Sequence, residues 1–508
     1  MAAEHVDLLI VGAGLSGIGA GHQFHAEFPT KTYAILEARD EIGGTWSLFK
    51  YPGIRSDSDM HTLGYRFRPW TDGKAIADGP AILEYVRDTA RAGEVEDKIR
   101  FGQRAARAAW SSEDARWTVE AEDVHTGAIT RITCGFLFMC SGYYRYDEGY
   151  RPDFAGIERF RGRIVHPQHW PDDLDYAGKR VVILGSGATA VTLVPAMAAT
   201  AAHVTMLQRS PSYIVTLPSR DRLADRLRGL VPPRLAYSMV RWKNVARIIF
   251  SYQLSQRAPG VMKAIIRKAA EKQLPPGYDI DTHLTPSYNP WDQRLCVAPD
   301  GDLFRAVRGG RASIVTDRVE TFTETGLALA SGAELEADVV VTATGLNMLV
   351  FGGIALSVDG HDVEIPKTMS YKAIMLSDVP NFAFAMGYTN ASWTLKVDLT
   401  YSYLWRLIRH MDSTGARWCV PRRHDGSVTE RPFMDFSPGY VLRSIGDFPR
   451  AGSKSPWRLR MNYLFDVVML ARGSVDDGTM EFGVGRPQSG RDLTGPPAGR
   501  HFPAHGGR

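Results

Sequence analysis

Cysteine is scarce in this chain: four in 508 residues, Cys134, Cys140, Cys296 and Cys419. None of the four stands in a C-x-x-C or other metal-ligand spacing, so the pattern excludes a zinc or iron–sulfur framework and a disulfide-stapled fold. The thiols read as free and kept reduced. Long apolar runs are absent too, since no uninterrupted stretch reaches the roughly 18 residues of a membrane span. The first apolar run, VDLLIVGAG, reads as a strand and turn and not as a signal peptide, and a cytoplasmic protein is expected. Charge of one sign is also lacking. With 60 Lys and Arg against 56 Asp and Glu, the net charge of +4 gives no reason to expect a nucleic-acid partner.

The chain is too long for one hydrophobic core and implies about two or three domains. Two segments depart from the average composition. Between Arg220 and Lys272 stand thirteen Lys and Arg against three acids, with apolar residues at helical spacing, as in RWKNVARIIFSYQLSQ. A basic helical insertion over about 218–275 is expected, its charged face either solvated or docked peripherally on a membrane. From Gly483 to Arg508 the chain is rich in Gly, Pro, Arg and His, and a disordered tail is expected there.

The N-terminus carries the first chemistry. DLLIV suits a buried parallel strand, and Gly12-Ala13-Gly14-Leu15-Ser16-Gly17 follows it, opening a helix. Gly12 allows the tight turn, Gly14 lets backbone approach a pyrophosphate, and Gly17 lets the helix lie close to the strand. The next apolar run, YAIL, ends in Glu37, twenty residues past Gly17, where a carboxylate can accept hydrogen bonds from ribose hydroxyls. Strand, glycines, helix and acid together point to a dinucleotide, FAD.

A second copy of the motif differs at its end. RVVILGSGATAV supplies a strand followed by Gly185, Ser186, Gly187, Ala188, Thr189 and Ala190, and the next strand, HVTML, runs into Gln208-Arg209-Ser210. No carboxylate stands at that strand end. Arg209, nineteen residues past Ala190, and the Ser210 hydroxyl suit a 2′-phosphate, which points to NADPH; the alternative is an exposed strand-end arginine.

Two nucleotide sites imply hydride transfer from NADPH to flavin, with either a disulfide or oxygen as the next acceptor. No cysteine precedes Cys134, so the redox-active pair of a disulfide reductase is missing. Oxygen remains.

Residues 43–57 read GGTWSLFKYPGIRSD and residues 160–171 read FRGRIVHPQHWP. Together they resemble the two fingerprints of the Baeyer–Villiger monooxygenases, class B flavoproteins that use FAD and NADPH. SGYY, HPQHWPDDLDY, NPWDQRLC and GYTNASWTLK, with ATG at 343–345, extend the resemblance over nearly the whole chain. They look most like the actinobacterial subgroup that activates thioamide prodrugs. The resemblance implies an α/β fold of two Rossmann-like dinucleotide-binding domains with a helical insertion. The FAD domain would take residues 1–150 and 335–482, and the NADPH domain residues 151–334. It further implies oxygenation of ketones to esters or lactones through a C4a-peroxyflavin, and of sulfur in sulfides or thioamides. A heteroatom monooxygenase and an NADPH oxidase are the alternatives.

Residue roles follow from the same resemblance. Arg294, in NPWDQRLC, aligns with the active-site arginine and Asp57 with the acid that orients it; a surface salt bridge and a helix N-cap are their respective structural alternatives. Gly44, Thr45, Trp46 and Ser47 would line the flavin, the backbone at Ala105 would meet its adenine, and Arg55 and Ser56 would face the nicotinamide. Trp393 would contact substrate or NADP. His166 lies in the linker between domains, either assisting their movement or serving as a structural histidine satisfied by backbone, and Trp170 reads as a packing anchor.

Replacing Glu37 with alanine is expected to yield protein purified with depleted FAD, because the ribose loses its charged acceptor. Retention of full flavin absorbance and an unchanged FAD dissociation constant would assign the first glycine motif to another ligand.

Overall fold

The structure, a computed structural model, describes residues 4–485 apart from 228 and 435–437. The apolar DLLIV run forms the strand Glu4–Val11, which lies between Tyr33–Leu36 and Ile129–Met139 and runs parallel to both. Its side chains enter two cores: Leu8 and Ile10 face the helix Leu15–Glu27, while Val6 and Leu9 face the opposite side. The antiparallel pair Gln103–Ser111 and Arg116–Asp123 widens this sheet to one flank, and Phe382–Phe384 adds to Ile129–Met139 from late in the chain.

A second sheet has five strands, all parallel, in the order Ala312–Thr316, His203–Gln208, Arg180–Leu184, Val339–Val341, Arg163–Val165. Parallel strands buried on both faces carry near-continuous apolar runs, as RVVIL and VVV do. The helix Ala188–Met197 covers one face of this sheet. On the other face Val182, Leu184 and Val340 pack with Phe322, Leu327 and Leu329, which come from a small antiparallel sheet. The fold is therefore α/β with two Rossmann-like units.

Two boundaries differ from expectation. Val339–Val341 pairs with Arg180–Leu184 and Arg163–Val165 at the interior of the second sheet, so the return to the first unit falls at 344–346 and not at 335. Gly483, expected to open the tail, instead ends the strand Met480–Gly483, which pairs with Trp418–Pro421; residues 486–508 lie outside the described residues. The two units are joined by adjacent crossings, Tyr144–Gly149 outward and Leu346–Met348 inward, which pair antiparallel. Phe49 and Tyr51, from the first unit's sequence, are buried in the core of the second.

The insertion forms three helices, Arg222–Leu227, Pro233–Arg257 and Pro259–Glu271. One basic residue at the centre of the insertion does not belong to the expected solvated or membrane-facing face. Arg241, 6% exposed, turns into the first unit. It donates to the carbonyls of His61, Thr62 and Gly64 at 2.9, 3.3 and 2.8 Å and to the Asp398 carboxylate at 2.8 Å. Those carbonyls close the short helix Met60–Leu63, whose N-cap Asp59 accepts from the Thr62 N–H at 3.0 Å and from Asn244 Nδ2 at 2.9 Å. Burial pushes the Asp398 carboxyl up to about 6 although Arg241 pulls it down. The outer face of the same helix exposes Leu235, Met239, Trp242 and Phe250.

Truncating Arg241 to alanine strands a buried carboxylate and several carbonyls, and is expected to cost roughly 3–5 kcal/mol. Urea unfolding measures it, and Asp398→Asn in the Arg241→Ala background should recover part of the loss by removing the orphaned charge. A midpoint unmoved by Arg241→Ala would mean that the helix is held by its apolar contacts alone.

Candidate active site

The first glycine turn is built on close backbone approach. Gly12 has φ +106°, and a Cβ there would lie 2.7 Å from the Cys140 carbonyl oxygen. A Cβ on Gly17 would lie 1.7 Å from the Gly12 carbonyl oxygen, so no other residue lets the helix sit this close to the strand. Gly44, φ +56°, packs backbone to backbone on Gly14, and the helix Leu15–Glu27 starts at Gly14 with no side-chain cap. An uncapped helix start beside a floor without side chains fits a pyrophosphate.

Glu37 is buried at the end of Tyr33–Leu36 and accepts from the Ala13 N–H at 2.7 Å and the Arg39 N–H at 2.9 Å. Burial pushes its carboxyl above the usual range, and those N–H groups oppose the rise. The Arg39 guanidinium donates to Ser47 Oγ at 2.6 Å and to the Gly44 carbonyl at 3.2 Å, so Ser47 braces this loop. Thr45 Oγ1 lies 3.4 Å from the Tyr146 hydroxyl, Trp46 packs on the first core, and Ala105 is buried where its strand shifts register. Ser16, Gly44, Thr45, Glu37 and Ala105 thus surround one end of the first sheet.

The second turn repeats the device. Gly185 has φ +139°, with a Cβ position 2.3 Å from the Ala343 carbonyl oxygen, and the helix Ala188–Met197 starts uncapped at Gly187. Ala190 is buried against the sheet. The Ser186 hydroxyl donates to the Ser210 carbonyl at 3.0 Å and fixes the loop that follows His203–Gln208. Arg209 and Ser210 are exposed, and among the described residues no side chain pairs with Arg209. An uncompensated guanidinium beside an uncapped helix start suits a phosphate-bearing nucleotide.

Between the two turns the units exchange charges. Arg294, from the second unit, donates to Asp57 of the first at 3.3 Å and to the Tyr143 hydroxyl at 3.2 Å. Its Nε is buried without a partner, leaving one unspent donor. Burial disfavours the guanidinium charge, but the oxygens of Tyr143, Tyr440, Tyr144 and Asp57 outweigh it and hold Arg294 above its usual range. The competing N-cap role of Asp57 goes to Asp59. Tyr143 packs on Trp393, ring centroids 5.4 Å apart, and Trp393 Nε1 donates to Ser16 Oγ at 2.8 Å. Arg294, Tyr143, Trp393 and the first glycine turn therefore form one continuous chain of contacts. Sequence reasoning missed the tyrosines, although SGYY had stood out as a motif.

The remaining site candidates have partners of their own. Trp393 is spent on Ser16 in the first nucleotide turn. Ser56 is buried with its N–H on the Ala77 carbonyl, and Arg55 is ion-paired with Asp302. The His166 ring accepts from the Gln168 N–H at 3.2 Å through Nδ1 and donates through Nε2 to the Gly345 carbonyl at 3.2 Å. Burial lowers its pKa, consistent with a neutral ring fixed by backbone. It lies against the paired crossings: a Cβ on Gly149 would fall 1.9 Å from its ring. Trp170 packs at the edge of the second core.

The chain is similar to known flavin-dependent monooxygenases. A family described as flavin-binding monooxygenase-like matches residues 77–375, and an NAD(P)-binding Rossmann-like domain matches residues 10–72. The FAD-containing monooxygenase EthA of Mycobacterium tuberculosis is 54% identical over 480 residues, 94% of this chain and 98% of that protein. The FAD-containing monooxygenase MymA of the same species, itself described as putative, is 50% identical over 484 residues, 94% of this chain and 98% of its own. In fold, an oxidised steroid monooxygenase bound to NADP superposes with a TM-score of 0.75 at 20% identity, covering 94% of this chain and 99% of that one.

Arg209→Ala is expected to raise KM for NADPH by about one to two powers of ten and that for NADH little, since a charged contact to the phosphate is worth roughly 1.5–3 kcal/mol. Steady-state kinetics with both coenzymes checks this; equal losses would make Arg209 structural.

Proposed function

The chain belongs to the flavin-binding monooxygenase-like family, and on that premise we propose that it is an FAD-dependent, NADPH- and O2-consuming monooxygenase of the Baeyer–Villiger type. It would convert ketones to esters or lactones and oxygenate sulfur in sulfides or thioamides. The observation that carries the reading is the Arg294–Asp57 pair, held between two glycine turns, one ending in an acid and the other in an arginine. A simple N-oxygenating enzyme needs no such fixed cation, and a disulfide reductase needs a redox-active cysteine pair that this site lacks: all four cysteines are free and buried, and desolvation raises the thiols of Cys140 and Cys296.

When bound, FAD takes a hydride from NADPH and activates dioxygen. The protein's part is to bind, orient and hold charge. Glu37 would hold the FAD ribose and the turn Gly12–Gly17 its pyrophosphate, with Gly44, Thr45 and Trp46 close by. The turn Gly185–Ala190, with Arg209 and Ser210, would hold NADPH. Arg294 supplies a pre-organised positive charge for negative charge developing on oxygen. Asp57 and Tyr143 fix its plane, and its free Nε adds a donor. Burial raises the phenols of Tyr144 and Tyr440, so both stay protonated beside the guanidinium.

A cytoplasmic location with peripheral lipid contact belongs to the same proposal. No helix among the described residues is long and apolar enough to cross a membrane. The outward stripe Leu235, Met239, Trp242 and Phe250, on a helix that also exposes Arg234 and Arg257, supports contact with an anionic lipid surface, testable by vesicle sedimentation.

Arg294→Ala is expected to fold, bind FAD and be reduced by NADPH, yet form no detectable ester from any ketone and return its oxygen as hydrogen peroxide. Arg294→Lys should rescue it only partly, because an ammonium cannot reproduce the planar two-pronged contact. The loss from removing one such charge is about 10²–10³ in rate. Stopped-flow absorbance follows reduction and gas chromatography follows ester. Ester formation within a few-fold of the parent would remove Arg294 from the chemistry.

A further inference from the structure

Arg55 does not behave as a free nucleotide ligand. Its backbone belongs to the first unit: Arg55 bridges antiparallel to Asp78, and the neighbouring Ile54 carbonyl accepts from the Gly79 N–H at 2.8 Å. Its side chain belongs to the second. Nη1 is ion-paired with Asp302, and Nη2 donates to the Val297 carbonyl at 3.4 Å. Asp302 opens the helix Asp302–Arg308, whose Leu303 and Phe304 lie in the second core, and its other carboxylate oxygen accepts from the Leu303 N–H at 2.8 Å. Both partners are therefore rooted in rigid elements of different units.

The same two short segments meet again at Asp57 and Arg294. The first unit contributes Arg55 and Asp57, and the second contributes Arg294 and Asp302, so the charges are exchanged reciprocally across one seam. The two pairs differ in burial. Side chains of Arg55 and Asp302 are 15% and 19% exposed, against 31% and 47% for Arg294 and Asp57. The seam is also fitted sterically just before Arg55: a Cβ on Gly53, φ +76°, would lie 2.7 Å from Ala196 Cβ on the second unit's first helix. A desolvated pair on fitted backbone holds its geometry better than a half-exposed pair that must also meet a reactant.

We infer that Arg55 and Asp302 are positioning residues: an interdomain latch that sets segment 55–57 against segment 294–302, and so places Asp57 on Arg294 and the second nucleotide over the first. The inference rests on the oxygenase reading above, and its test keeps the two apart. Asp302→Asn, Asp302→Glu, Arg55→Gln and the double variant Arg55→Gln/Asp302→Asn are compared with the parent as holoenzymes. Three quantities are read: oxygenated product per NADPH with a ketone and a sulfide, flavin reduction at saturating NADPH, and melting temperature.

Asp302→Asn and Arg55→Gln should each lower product per NADPH at least fivefold, with peroxide replacing product, and slow flavin reduction. Each should lower the melting temperature by about 2–4 °C. Asp302→Glu should retain most of the parent's coupling. The double variant should be no worse than the poorer single, because both changes break one contact. Coupling in Asp302→Asn within twofold of the parent would overturn the latch. So would losses that multiply in the double variant, or a defect in Arg55→Gln confined to KM for NADPH. If the parent itself yields only peroxide with every substrate, the oxygenase reading falls. The latch is then judged on non-additivity of reduction rate and melting temperature alone.

Discussion

A guanidinium removed from water has to find acceptors for its donors, and Arg241 finds them at the end of the short helix Met60–Leu63, on the Asp398 carboxylate and on the Tyr237 hydroxyl. Meeting that demand fixes the helix Pro233–Arg257, an excursion from the second unit, against the first. The helix then sets Asn244 on Asp59, which caps Met60–Leu63. With Asp59 occupied in this way, Asp57 two residues earlier is left for Arg294. The segment that carries Asp57 thus borders a capped turn held by a buried arginine that belongs to neither glycine turn.

The same interaction shows where sequence reading stops. Glycine spacing, apolar strands and the residue ending each second strand depend on neighbours within about forty positions, and all were legible in the chain. Arg241 stands among twelve other basic residues that look alike in sequence. Its inward role is decided by carbonyls about 180 positions earlier and by Asp398 157 positions later. Val339–Val341 was misplaced for a related reason: VVV followed by ATG announces a buried strand, but nothing local says which of two sheets receives it.

At the site, residue type was legible and partnership was not. Arg294 and Asp57 could be matched to a family pattern, whereas the pairing of Arg55 with Asp302, 247 positions later, leaves no mark in the sequence around either residue. The phenols around Arg294 were hidden in plain view, since SGYY carries no spacing that distinguishes a wall from a ligand. Tyr440, almost 300 positions beyond Tyr144, joins them only through folding.

The paired crossings Tyr144–Gly149 and Leu346–Met348 have a mechanical consequence. A single strand between two bodies is a swivel. Two strands bonded side by side are a strap, stiff against twist and shear and compliant only in bending out of its plane. At the strap, relative displacement of the two units is thereby biased toward bending and away from twist and shear. Tyr143, which holds Arg294, immediately precedes its first strand. Arg294 therefore sits beside the strap, where any bend gives the smallest displacement, and the long lever arm is left to the distant surfaces.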